Sequence, residues 1–97
     1  MAVRVIVELQ AIPGRRDELK ALLERLIASE GAREHGFLGS TRYEVLDAPD
    51  TLVEIADWES AEARTEHMQQ AAASGTYAPV FALLAAPFRA TVIQELP

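Results

Sequence analysis

The sequence predicts an α+β fold in which the elements run strand, helix, strand, strand, helix, strand. Three observations carry this reading. Residues 3–11 and 52–58 alternate side chains with the period of a strand, and residues 19–27 place Leu and Ile at helical spacing. Between Leu52 and His67 the chain then passes from a strand, through its only Trp, into a second helix that carries a His.

In the first strand Val3, Val5, Val7 and Leu9 alternate with Arg4, Ile6, Glu8 and Gln10, which gives one clearly apolar face. Pro13-Gly14 breaks it. Leu19, Leu22, Leu23, Leu26 and Ile27 follow the i, i+3, i+4, i+7, i+8 pattern of an amphipathic helix, with Asp17 and Glu18 placed to complement the dipole at its start. Gly31 or Gly36 is expected to end that helix. Phe37 to Asp47 reads as the second strand, Ala48-Pro49-Asp50 as a turn, and the following residues as the third strand, so the two strands form a hairpin. Leu52, Glu54, Ala56 and Trp58 share one face of that third strand.

Ser60 offers a hydroxyl to cap the second helix, which is expected to run from Ala61 to Ser74 and to close at Gly75. On it Ala63, His67 and Ala71 recur every four residues, so the imidazole has small neighbours along its stripe. That leaves room for a pocket, or for an Ala-lined helix packed close to a sheet. Tyr77, Val80, Phe81 and Leu84 suggest a short extra helix within Thr76 to Ala86, with Pro79 near its start and Pro87 at its end. Phe88 to Leu96 alternates as the last strand.

This order is the split β-α-β-β-α-β, or ferredoxin-like, arrangement: a four-stranded antiparallel sheet with both helices on one face. Apolar residues occur on both faces of the first and third strands, so the face without helices is not a freely solvated surface. A second copy of the sheet would cover it, giving a homodimeric α+β barrel with the helices outside. The 97 residues are expected to form a single domain spanning 1–97.

The net charge of −6, with one lysine and arginines scattered without a basic run, argues against nucleic acid as a partner. No stretch resembles a signal peptide or a membrane span, and the cytoplasm is the expected compartment. The absence of Cys removes disulfides, thiol nucleophiles and Cys-ligated metals. The two histidines, His35 and His67, lack metal-type spacing, and no nucleotide-binding or serine-nucleophile motif is present. No metal and no cofactor are expected.

The chain resembles the antibiotic biosynthesis monooxygenase family of dimeric α+β barrels. The resemblance rests on the strand-Pro-Gly-helix start from Leu9 to Leu19, Gly36-Phe37-Leu38-Gly39 at the second strand, Trp58-Glu59-Ser60 followed by Ala63 and His67, and the aromatic pair Tyr77 and Phe81. It implies a homodimer and, for the enzymes among such proteins, oxidation of phenols, quinols or anthrones without metal or flavin; other branches degrade haem or isomerise small metabolites. Family members often carry a Glu two residues before the Trp, where this chain has Ala56 and places its acid at Glu54 instead. The haem-degrading branch uses an Asn beside Trp and His. This chain contains no Asn, so haem degradation is disfavoured.

For such chemistry His67 is the candidate proton acceptor, because an imidazole exchanges protons near neutral pH. Trp58 would supply a stacking surface, Glu54 would orient His67 or bind a substrate hydroxyl, and Tyr77 and Phe81 would form the opposite wall. Arg42 is a further candidate for substrate binding, or the ion-pair partner of Glu54 from the neighbouring strand. On the residues alone Trp58 is first a core anchor, Tyr77 and Phe81 lean towards core packing, Glu54 towards a salt bridge or solvent, and His67 is balanced between pocket and structural roles. His35 is expected in an exposed loop. The expected ligand is a small aromatic or quinone-like molecule, oxidised without a cofactor; the alternatives are a non-catalytic binding or stress-associated dimer and an isomerase of a small carbonyl metabolite.

Overall fold

The computed structural model describes residues 2–29 and 35–97. Its elements are β1 (Val3–Gln10), α1 (Arg16–Ser29), β2 (Phe37–Val45), β3 (Ala48–Trp58), α2 (Ala61–Ser74), α3 (Ala78–Phe81) and β4 (Arg89–Ile93). The strands form one antiparallel sheet in the order β2-β3-β1-β4. This is the split arrangement that the sequence predicts.

Alternation decides which sheet face receives the helices. Val5 pairs with Ala56 and Leu9 with Leu52 across the β1/β3 ladder, so these four side chains share one face, and all are buried. Against them α1 places Leu19, which is fully buried, and Leu23; with Leu9, Ala11, Leu52, Val80 and Leu83 they form one core cluster. Burying a leucine side chain of this kind stabilises by about 1.5–3 kcal/mol. A second cluster of Val3, Val5, Ala56 and Trp58 packs against Ala63 of α2 and Phe37 of β2. Val7 touches both clusters, and the space between sheet and helices lies where they meet.

The opposite face follows from the same ladders. Ile6 pairs with Ile55 and with Thr91, Tyr43 with Val53, and Arg4 with both Asp57 and Ile93, so an apolar band of Ile6, Tyr43, Val53, Ile55 and Ile93 runs across it. No helix among the described residues covers these positions in either core cluster. At the end of the band Arg4 donates to Asp57 at 2.9 Å.

Several boundaries differ from the expectation. The hairpin turn is Leu46-Asp47, not Ala48-Pro49-Asp50, and β2 stops at Val45. Pro49 is tolerated in β3 because the ladder is irregular there, with a register shift between Glu44 and Val45, and no proline N–H is needed. The helix expected within Thr76 to Ala86 is reduced to the four residues of α3. Beyond it the backbone is diverted to the end of β1: Ile12 N donates to Leu83 O at 2.9 Å, and Ala85 N donates to Gln10 O at 2.8 Å. The last strand is likewise shorter than Phe88 to Leu96. The helix α1 extends to Ser29, and Gly31, one of its two expected ends, lies outside the described residues. No helix among the described residues is long and apolar enough to cross a membrane.

Candidate functional site

The corner between β3 and α2 is built as its sequence suggests. Trp58 ends β3 and is buried at 5% exposure. Two residues later Ser60, in extended conformation, accepts a hydrogen bond from Ala63 N at 3.1 Å and caps the helix. Gly75 closes α2 in the left-handed region at φ +70°, with its N–H donating to Ala71 O. A close approach fixes the helix against β2: Glu59 N donates to Gly36 O at 2.7 Å, and a Cβ on Gly36 would stand 2.6 Å from the Ala63 Cβ. The small side chain at Ala63 therefore serves helix–sheet packing, while the next residue of its stripe, His67, faces open space.

That space is a cavity of about 120 Å3 between the sheet and the helices. Its wall is mostly apolar, drawn from both core clusters, and its polar side chains are Glu54, Arg64, His67, Thr76 and Tyr77. His67 Nε2 and Tyr77 Oη are 2.7 Å apart, a hydrogen bond whose direction depends on the imidazole tautomer. The His67 ring lies 5.2 Å from Trp58, centroid to centroid and inclined by 35°, and 6.0 Å from the Tyr77 ring in an edge-on arrangement. The ring of Phe37 stands edge-on to Trp58 at 5.2 Å. Phe81, half exposed, stacks on Phe88 at 5.7 Å, and both rings line the cavity.

Glu54 projects from β3 into the same cavity. Its Oε2 atom is buried and has no hydrogen-bond partner. Burial raises the carboxyl above its ordinary value of 4.5, and the positive charge of Arg42 opposes that rise only in part. Arg42 pairs with Glu54 across the β2/β3 ladder, yet its Nη1 stands 3.9 Å from Oε2, too far for a hydrogen bond, and donates instead to Ser40 Oγ at 3.2 Å.

Five of the six residues singled out from the sequence, Glu54, Trp58, His67, Tyr77 and Phe81, thus converge on one cavity. Arg42 does not line it; its place is beside Glu54 on the neighbouring strand, as a counter-charge. Arg64, Met68, Thr76 and Phe88 line the cavity without having been singled out. The signal for Arg64 was present, since it precedes His67 by three residues and so shares its helix face. His35 is exposed, as expected. No three His, Asp or Glu side chains among the described residues converge as a metal site.

Fold and site together define a ferredoxin-like α+β protein with an apolar cavity between sheet and helices, closed at one corner by Trp58, His67 and Tyr77. The chain belongs to the antibiotic biosynthesis monooxygenase family, whose pattern matches residues 2–78. No curated protein matches it. Among solved structures, Rv0793 of Mycobacterium tuberculosis is 31% identical, with 100% of this chain and 97% of that one covered and a TM-score of 0.80. SnoaB of Streptomyces nogalater, a cofactor-independent oxygenase, is 20% identical over 99% of this chain and 94% of its own, with a TM-score of 0.80. A conserved protein of Methanosarcina mazei is 20% identical over 99% and 94%, with a TM-score of 0.83. At 20% identity the last two share the fold.

Proposed function

We propose that this protein is a cofactor-independent monooxygenase that acts on a small hydroxyarene of the phenol or quinol type. The observation that carries the proposal is the His67–Tyr77 pair, 2.7 Å apart beside Trp58 in the wall of an apolar cavity. Removing a ring hydroxyl proton makes the substrate electron-rich enough to pass an electron to dioxygen. An apolar wall lets the radical pair recombine away from water. For a hydroquinone the balance closes without an external reductant: quinol plus dioxygen yields hydroxyquinone plus water, with one oxygen atom entering the ring. His67 takes the hydroxyl proton, Tyr77 holds the imidazole in place, and Trp58 bounds the plane of the ring. Family membership and the likeness to a cofactor-independent oxygenase support the reading.

The same reading has the protein act as a homodimer joined through the helix-free sheet face. Its apolar band, with Tyr43 and Ile93 more than two-fifths exposed, supports this. Oxygen uptake by metal- and flavin-free protein on a panel of quinols, with His67→Ala beside the wild type, tests the activity; an active enzyme indifferent to that substitution overturns the role of His67. A second reading draws on Glu54, whose raised carboxyl suits proton shuttling in an isomerase. Solvent deuterium entering a carbonyl substrate without oxygen uptake would favour it.

A further inference from the structure

Arg64 lines the cavity, and the reaction as proposed gives it no task. It stands one turn before His67 on α2, so both side chains leave the helix on the same side. Arg64 is partly buried, and among the described residues no ion pair involves it: the carboxylates within reach of cations pair with Arg4, Arg15, Arg16, Lys20 and Arg42. The planar fork of a guanidinium bordering this mostly apolar wall matches a carboxylate in two parallel hydrogen bonds. Among the described residues, the cavity therefore presents one cation that no ion pair neutralises.

Size narrows the occupant further. An apolar cavity of about 150 Å3 takes up benzene, and the present one measures about 120 Å3. One six-membered ring fills it, whereas a fused ring system exceeds it.

We propose that the cavity takes a monocyclic hydroxyarene bearing an anionic substituent, with the anion held by Arg64. This inference rests on the hydroxyarene reading above and names the substrate class within it. Arg64 is then the residue that sets specificity.

Calorimetric titration under argon with 2,5-dihydroxybenzoate and with its neutral isostere 2,5-dihydroxybenzamide separates the two claims. The carboxylate is expected to bind wild-type protein about tenfold or more tighter than the amide, the usual worth of a charge-assisted hydrogen bond. Arg64→Met is expected to bring the carboxylate to the affinity of the amide while leaving the amide unchanged, which also shows that the variant is folded. Should Arg64→Met not fold, the wild-type comparison of the two ligands decides alone. Equal binding of both by the wild type, or equal weakening of both by Arg64→Met, overturns the anion anchor and leaves the hydroxyarene reading standing. Equal affinity for 1,4-dihydroxy-2-naphthoate overturns the single-ring limit. Binding of none of these ligands contradicts the hydroxyarene reading itself, and the inference with it.

Discussion

The imidazole Nε2 of His67 and the hydroxyl oxygen of Tyr77 stand 2.7 Å apart at the wall of an apolar cavity, one on α2 and the other just before α3. Ten residues of chain separate them, and the turn at Gly75 brings them together. An imidazole held by a neighbouring hydroxyl has a fixed orientation, which the proposed proton abstraction would need.

Tyr77→Phe keeps the ring and removes the hydroxyl. If Tyr77 positions His67, turnover of a quinol falls by about fivefold, the kinetic equivalent of one hydrogen bond of about 1 kcal/mol. His67→Ala is expected to cost about 10²-fold or more. Steady-state oxygen uptake on both variants checks the ranking, and a Tyr77→Phe loss equal to that of His67→Ala would make the tyrosine a direct participant in proton transfer.

Glu54 contributes a pH dependence whose sign follows from its burial. Because the folded protein holds this carboxyl above 4.5, folding binds a proton more tightly than the unfolded chain does. Its contribution therefore favours folding at low pH and is lost as pH rises from 4.5 through the raised folded value, where a buried charge must be carried. Glu54→Gln removes that loss. Thermal unfolding from pH 4.5 to 7 should show the Tm of the variant gaining on the wild type as pH rises, and parallel profiles would show that the carboxyl ionises without penalty.

Gly36 is needed on two grounds. Its φ of +84° lies in the left-handed region, and an added Cβ would meet the Ala63 Cβ at 2.6 Å. Gly36→Ala should destabilise by about 2 kcal/mol or more, combining the left-handed cost with overpacking. Denaturant unfolding measures it. A Gly36→Ala protein as stable as the wild type would show that α2 is free to move away from β2.

The helix-free sheet face makes its own prediction. Ile55 lies at the middle of the apolar band, paired with Ile6 on one side and Thr41 on the other. If two copies join there, Ile55→Asp buries a charge at the interface and dissociates them. Sedimentation equilibrium should then find wild-type protein at about twice the 10.6 kDa chain mass and the variant at one chain. A monomeric wild type contradicts the dimer.

The elements that the sequence made legible are those whose local chemistry and packing agree. The α1 leucines, the Ser60 cap and the Gly75 stop mark their positions because periodicity, capping and left-handed backbone all point one way. Pro49 misled because a proline signals a turn only where its missing N–H matters, and in the irregular start of β3 it does not. The spacing of Tyr77, Val80, Phe81 and Leu84 overstated α3 for a different reason. The backbone of Leu83 and Ala85 has partners at the end of β1, a long-range competition that no local pattern records. In the site, Trp58 and His67 were visible as residue types at one corner, whereas Tyr77, expected on the opposite wall, stands beside His67. Their mutual distances and the unsatisfied oxygen of Glu54 depend on the fold. Trp58 proves to be both a core anchor and part of the cavity wall, so two readings that looked opposed in sequence describe the same side chain.

The central claim is proton removal by His67 in oxygenation without a cofactor. Its most direct test is oxygen uptake by protein shown to be free of metal and flavin, with 2,5-dihydroxybenzoate and unsubstituted hydroquinone as substrates, for the wild type and His67→Ala. The account predicts one dioxygen consumed per hydroxyquinone formed and a loss of about 10²-fold or more in the variant. Uptake that is unchanged in His67→Ala, or no uptake on any quinol that binds the cavity, would contradict it.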